Sequence, residues 1–394
     1  MENHKSKLYN FIIIMVFLTF IGFFGIAYII VPDREYSELE NRYLTTFPEL
    51  SWERLMSGEF MSDFDSYTAD QIYGKDLFVK GNVVYNRMLG IKEINGVLIG
   101  RDGYLIQDYQ APGSVLNQNL QSIQNFAEAH PEADMTLLLA PNVNEIYPEK
   151  LPTFAQTYPQ SEVIARAEET LDAANLKVVD VTDILTDQKS RDMYYKTDHH
   201  WTTLGAFMAY KELCDASGRP SRHLDDYEMI TLDTPFYGSL YSKAPVTESE
   251  GDEITFYRNP LGQYKVTYVN EGIVTDSMYD SQYLDRKDKY AVFFGGNYAL
   301  ITIENLVFDG LLATAEEESG TDSGEVLILK DSYANALIPF LADDYAKLHV
   351  IDLRYYHDDL GAYMEENHIR QVILIHNVDF LSTDNSFVWL EYSG

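Results

Sequence analysis

The chain has 394 residues, 46% hydrophobic and 23% charged, enough for one large domain or two smaller ones. Its 62 acidic against 29 basic residues give a formal charge of -33, a field that weighs against nucleic acid or anionic lipid as partners. An aromatic share of 13%, with 30 tyrosines, excludes a disordered acidic chain, and the single cysteine, Cys214, excludes an intramolecular disulfide without fixing the compartment.

Residues 9–31, YNFIIIMVFLTFIGFFGIAYIIV, carry no charge and are long enough to cross a bilayer as a helix. Lys5 and Lys7 precede this run; Pro32, Asp33, Arg34 and Glu35 follow it. The basic flank predicts a cytoplasmic tail at 1–8, a single-pass anchor at 9–31 and an extracytoplasmic remainder held at the cell membrane. A cleaved signal peptide is the competing reading. Against it, the run exceeds the usual signal core of roughly 7–15 residues, and no small-x-small cleavage site follows.

Residues 33–110 read as a lead-in segment. Leu55, Phe60, Phe64, Tyr67 and Ile72 give 51–90 a helical apolar spacing, and NGVLIGRDGYLI (95–106) is a hairpin signal around Gly100-Arg101-Asp102-Gly103. A helix is predicted at about 114–129. Buried strands then alternate with helices across 111–394. The strands are MTLLLAP (135–141), KVVDV (177–181), EVLILKD (325–331), KLHVIDLR (347–354) and QVILIHN (371–377). The helices fall at 161–174, 202–217, 332–345 and 359–367. This order predicts an α/β domain with a parallel sheet flanked by helices. Tyrosine-rich runs such as QYKVTYV and YAVFFGGNYALITI predict a β-rich insertion at about 228–318, and TAEEESGTDSG (314–324) reads as a solvated acidic loop.

In a parallel sheet, active sites form where strands end and helices begin. VLILKDSYANALIPF runs an apolar strand straight into Asp331-Ser332, placing the serine beside free N–H groups that can bind an oxyanion. Ser332 as a plain helix cap is the alternative. The stretch YYKTDHHWTT (194–203) supplies what a serine nucleophile lacks: Asp198-x-His200 offers a base and a group to fix its tautomer. Asp198 against Nδ1 of His200 leaves Nε2 for Ser332, with Trp201 walling the site and His199 turned elsewhere. A purely structural polar turn is one rival, and zinc binding by Asp198 with His199 or His200 is another, since both residue types are normal ligands. Adjacent histidines diverge, however, and no H-x-x-x-H or C-x-x-C accompanies them, so neither metal nor cofactor is expected.

TDHHWT resembles the signature of the DHHW family, relatives of the alginate O-acetyltransferase proteins with SGNH-hydrolase-like domains. RDGYL (101–105), LLLAPNVNEIYPEKLP (137–152), FYGSLYSK (236–243), FFGGN (293–297), LKDSYANALIPF (329–340) and IDLRYY (351–356) extend the resemblance. It implies a Ser332-His200-Asp198 triad, with the dyad before the serine, whereas ordinary SGNH hydrolases have the serine first; chain order does not matter to a triad. It also implies a role for Arg354 beside the nucleophile, binding an acidic sugar or anionic intermediate. Tyr333 borders the pocket in this reading, Gly296-Asn297 offers an N–H or side-chain amide to an oxyanion hole unless GGN is simply a turn, and His199 and Trp201 are further substrate contacts. The activity implied is O-acetyl transfer to a cell-surface or secreted polysaccharide through an acyl-serine, with a membrane-bound O-acyltransferase (MBOAT-like) partner supplying acyl groups. An acetyl esterase using the same triad and a non-catalytic glycan-binding protein are the alternatives.

Overall fold

Five sequence runs with apolar centres rich in β-branched and leucine side chains call for a sheet covered on both faces; four pack that way, while KVVDV forms an edge strand with Lys177 and Asp180 exposed. A computed structural model describes residues 2–308 and 324–392. The chain divides into two compact units, Met1–Ile91 and Lys92–Gly394. Of the acidic tract predicted at 314–324, only Gly324 falls among the described residues, and the last ten positions of the predicted insertion lie outside them.

The first unit begins with one helix, Glu2–Ile30, whose stretch Lys7–Ile30 is long and apolar enough for a membrane span or a signal sequence. Three helices follow, Trp52–Ser57, Glu59–Gln71 and Lys75–Met88. Buried Asp70 ties the module together by accepting from Arg42, Lys75 Nζ (2.7 Å) and the Thr45 N–H (2.8 Å). The Arg42 guanidinium, ahead of the other donors, holds the Asp70 carboxyl below the usual range.

In the second unit, the sheet strands are β1 (Asp134–Ala140), β2 (Leu176–Asp180), β3 (Tyr264–Tyr268) and β4 (Ile273–Thr275). They continue with β5 (Leu300–Asn305), β6 (Glu325–Lys330), β7 (Lys347–Ile351) and β8 (Gln371–Asn377). Their order is β4-β3-β5-β7-β6-β8-β1-β2. The run from β7 to β2 is parallel, whereas β5, β3 and β4 join antiparallel. The tyrosine-rich insertion therefore extends the main sheet at one edge, and its Glu228–Thr231 and Thr255–Arg258 segments pair as a separate hairpin.

Alternation along each strand divides the core into two layers. On β6, Val326 and Ile328 face one cluster with the helix Thr203–Ala216; Leu327 and Leu329 face the other with the helices Ser114–Ala129 and Gln160–Thr170. From β6 the chain crosses to β7 on one side and returns to β8 on the other. The carboxyl end of β6 is thus a topological switch point, where open α/β sheets bind ligands.

Two expected elements differ. The helix expected over 332–345 is a 3-10 segment, Ser332–Ala336, followed by the short helix Ile338–Leu341. Pro339 lacks the N–H that a continuous helix would donate to the Asn335 carbonyl, so the turn breaks there. Of YAVFFGGNYALITI, only the segment from Leu300 onward is a strand. Tyr290–Val292 is a 3-10 turn, and Phe294, Gly295 and Gly296 take positive φ, which no strand can accommodate.

Candidate active site

Asp198 and His200 sit on a tight turn pinned from both ends. Tyr194 and Trp201 bridge across it, and the Thr202 N–H reaches the Met193 carbonyl at 2.9 Å. Thr202 then caps the helix Thr203–Ala216, its hydroxyl accepting the Gly205 N–H at 3.2 Å. Asp252 straps the near side by accepting the N–H groups of Lys196 (2.7 Å) and Thr197 (2.9 Å). Trp201 is 0% exposed and donates its indole N–H to the Tyr333 carbonyl at 2.9 Å, fastening the turn to the segment after Ser332.

Within this frame the three residues form a continuous relay. Asp198 Oδ1 lies 2.5 Å from His200 Nδ1 and also accepts the His200 N–H at 3.0 Å. Asp198 Oδ2 accepts the Ser239 N–H at 2.7 Å. His200 Nε2 lies 2.8 Å from Ser332 Oγ. Burial alone would raise the Asp198 carboxyl, but the His200 and His199 rings and the Ser239 N–H outweigh it and hold the acid below the usual carboxylate range. The Tyr290 ring stacks on His200 at 3.8 Å and 7°, and its hydroxyl donates to the Ser332 carbonyl at 2.9 Å.

Ser332 follows β6 directly and is half-buried. Capping falls to its neighbour: Asp331 accepts the Tyr333 N–H at 2.8 Å and, through its other oxygen, the Asn377 N–H at 2.7 Å. The serine hydroxyl is thereby left for His200. Burial pushes the Asp331 carboxyl up to about 6, against the pull of those two N–H groups.

The remaining sequence-read residues occupy distinct positions. His199 is part-exposed and pairs Nδ1 with Ser239 Oγ at 2.6 Å. Tyr333 is buried, its hydroxyl directed at the His199 carbonyl and at Asn142 Oδ1 (3.1 Å). Asn297 turns Oδ1 to Lys330 Nζ (2.6 Å) and to Asn335 Nδ2 (3.2 Å). Arg354 forks onto Asp352, Nε to Oδ1 at 2.8 Å and NH2 to Oδ2 at 2.5 Å, with its side chain 27% exposed. Lys330 is fully buried and shares Asp352 at 3.3 Å. Ligand atoms of Asp198, His199 and His200 lie within 4.8 Å of one another, but both His200 nitrogens and His199 Nδ1 are engaged in hydrogen bonds that a metal would have to break.

Sequence reasoning missed Tyr290, Ser239, Asp331 and the Asn142–Asn377 pair, which is joined by an Asn377 Nδ2 bond to Asn142 Oδ1. Asn142 and Asn377 could have been found, since each ends a predicted strand at the same sheet edge as Ser332. Tyr290 lies 42 residues before Ser332 and opens a run read as β from its sequence, whereas it sits in the 3-10 turn Tyr290–Val292.

The DHHW protein family model matches residues 170–351, a span that contains Asp198, His200 and Ser332. No curated protein sequence matches the chain. A DHHW family protein from Eubacterium siraeum DSM 15702 shares the fold with a TM-score of 0.64 at 23% identity, over 76% of this chain and 96% of that one. Bacillus cereus PatB1 does so with a TM-score of 0.61 at 22% identity, over 74% of this chain and 98% of that one. A second PatB1 structure, carrying a sulfonyl adduct, aligns with a TM-score of 0.60 at 22% identity, over 74% and 99%. The stretch 170–351, which holds the TDHHWT turn, is thus similar to the DHHW protein family.

Proposed function

We propose that this chain is a membrane-anchored, extracytoplasmic O-acetyltransferase acting on a cell-surface or secreted polysaccharide. The observation that carries this reading is the unbroken chain of contacts from Asp198 through His200 to Ser332 Oγ at the carboxyl edge of the parallel sheet. His200 takes the Ser332 proton as the hydroxyl attacks an acyl carbonyl, and Asp198 stabilises the imidazolium that results. The donor's leaving group departs with that proton and Ser332 is left as an acyl ester. His200 then deprotonates a sugar hydroxyl, which attacks the acyl-serine and frees Ser332. His199, Asn297 and Arg354, the three part-exposed among the five substrate residues, are assigned to substrate contact. Trp201 and Tyr333 position the turn. Acetyl-CoA is cytoplasmic, so an MBOAT-like membrane partner passes the acyl group outward to this domain.

The test offers the full chain a small activated acetyl ester and, separately, a sulfonyl fluoride, a probe chosen because PatB1 carries a sulfonyl adduct. Mass spectrometry is expected to find each adduct on Ser332 and to lose both in Ser332→Ala, with acylation in His200→Ala slowed on the order of 10⁴–10⁶-fold. Adding oligosaccharides to the acetylated protein should move the acetyl group to a sugar hydroxyl. Release as acetate alone would assign an esterase, and a folded chain that takes neither label would remove the enzyme reading.

A further inference from the structure

The helix Lys75–Met88 is amphipathic in the unexpected sense, with its apolar stripe facing outward. Leu77, Phe78, Val84, Tyr85 and Met88 follow the spacing i, i+1, i+7, i+8, i+11 and so share one face roughly 120° wide. Leu77 is 77% exposed, Phe78 49%, Tyr85 61% and Met88 80%, whereas Val83 on the far side is 2% exposed. A soluble module would turn this stripe inward, and contiguous exposed apolar surface of this kind marks a binding face.

What covers it follows from where it starts. The Phe78 ring packs on Phe24 at 5.9 Å between centroids, and Tyr73 packs on Phe23 at 6.0 Å. Both partners belong to the apolar stretch Lys7–Ile30. Phe24 lies six residues before the end of that helix, about 9 Å along its axis at 1.5 Å per residue. The stripe therefore begins beside the last two turns of the stretch and continues the surface of its exposed neighbours Phe20, Phe23 and Ile26. Local charge agrees. Apart from Lys75, which is buried against Asp70 and Glu40, the helix carries Lys80 and Arg87 against the single acid Asp76, within a chain of net charge -33. Lys80 and Arg87 flank the stripe, where long basic side chains reach phosphate groups while their stems stay in apolar surroundings.

We propose that the helix Lys75–Met88 lies in the bilayer interface and buries its Leu77–Phe78–Tyr85–Met88 stripe among lipid acyl chains, giving the protein a second membrane contact beside the span. This rests on reading Lys7–Ile30 as a retained span. The contact fixes the first unit flat against the bilayer, in addition to tethering it at one point.

The full chain, with Trp52→Phe and Trp389→Phe so that buried Trp201 is the one remaining native tryptophan, is reconstituted in phosphatidylcholine vesicles whose acyl chains are brominated. Three single probes are compared: Tyr85→Trp on the stripe, Asn86→Trp on the opposite face, and Phe17→Trp within the span. Contact quenching by bromine should remove most of the emission of Tyr85→Trp and Phe17→Trp and spare Asn86→Trp. An unquenched Tyr85→Trp beside a quenched Phe17→Trp overturns the interfacial helix, leaves the span standing and shows the stripe covered by protein instead. If Phe17→Trp is also unquenched, the span reading itself has failed. Equal quenching at Tyr85→Trp and Asn86→Trp likewise overturns the oriented contact.

Discussion

At the scale of single residues, burial acts with opposite effect on neighbouring groups. Asp198 is buried but receives two N–H donors and an imidazole, so it keeps its charge; Asp331 receives two N–H donors and no cation in contact, and its carboxyl rises to about 6. His376, at the end of β8, stands with its Nδ1 4.0 Å from Asp331 Oδ2. It is fully buried between Phe380 and Phe387, neither ring nitrogen has a hydrogen-bond partner, and burial pushes it down to about 3 from an ordinary 6.5. A histidine held neutral in the folded state contributes fully above pH 6.5. Below that the unfolded chain binds the proton first, and stability is lost as pH falls toward 3, with a limiting slope of about 1.4 kcal/mol per pH unit. Asp331 works in the reverse direction between 3.8 and about 6, where its folded form holds the proton more tightly and stability declines as pH rises. In His376→Leu the histidine slope disappears, and Asp331 loses the ring that stands 4.0 Å from its carboxylate. Urea unfolding at pH 7, 5.5 and 4.5 should therefore show the variant gaining on the parent by up to about 1.4 kcal/mol for each unit below 6.5. A difference that stays constant with pH would show that His376 does not titrate through this window.

At the scale of elements, the dyad depends on a segment that brings no chemistry of its own. Gly238 donates its N–H to Thr197 Oγ1 at 3.1 Å, and the next N–H, from Ser239, reaches Asp198. Gly238 has φ −80°, so the need for glycine comes from contact alone: a Cβ there would collide with the Asp198 carboxyl. Gly238→Ala should therefore displace the acid or the strap, and a misplacement of about 1 Å costs on the order of 10²-fold in rate. The acetylation rate of Ser332 checks this, with circular dichroism to confirm that the fold survives. FYGSLYSK was legible only as a family landmark; its grip on Asp198 depends on a contact between positions 41 residues apart, which no local pattern encodes. The same limit explains Tyr290. By contrast, β1, β2, β6, β7 and β8 were legible because buried parallel strands are continuous apolar runs, and the helix Ser114–Ala129 because its apolar period is clean. The relay was legible because Asp198 and His200 are two residues apart and Ser332 ends an unmistakable strand. The break at Pro339 was overlooked although proline states it directly.

At the scale of the molecule, the proposed function divides its tasks between the two units. Both core clusters are built entirely from residues between Leu98 and Leu390, so the second unit contains the whole of its own hydrophobic core. Every member of the relay and its supports lies there too, from Asn142 to Asn377. A domain of that length buries enough apolar surface to fold alone. The first unit holds the apolar stretch Lys7–Ile30 and the outward stripe of Lys75–Met88, the features on which the proposed membrane contact rests. A chain beginning at Lys92 should therefore unfold in one cooperative transition and react at Ser332 with a sulfonyl fluoride at a rate comparable to that of the full chain, since the relay, its supports and their core all lie in the second unit. In membranes that hold an acyl-supplying partner, the same truncated chain should transfer almost nothing to polysaccharide, because a tethered domain meets its partner at an effective concentration near the millimolar range and a free one does not. Comparing labelling rate and membrane transfer in one preparation separates these outcomes. Slow labelling would place part of the active fold in residues 1–91, whereas undiminished transfer would show that the handover needs no tether.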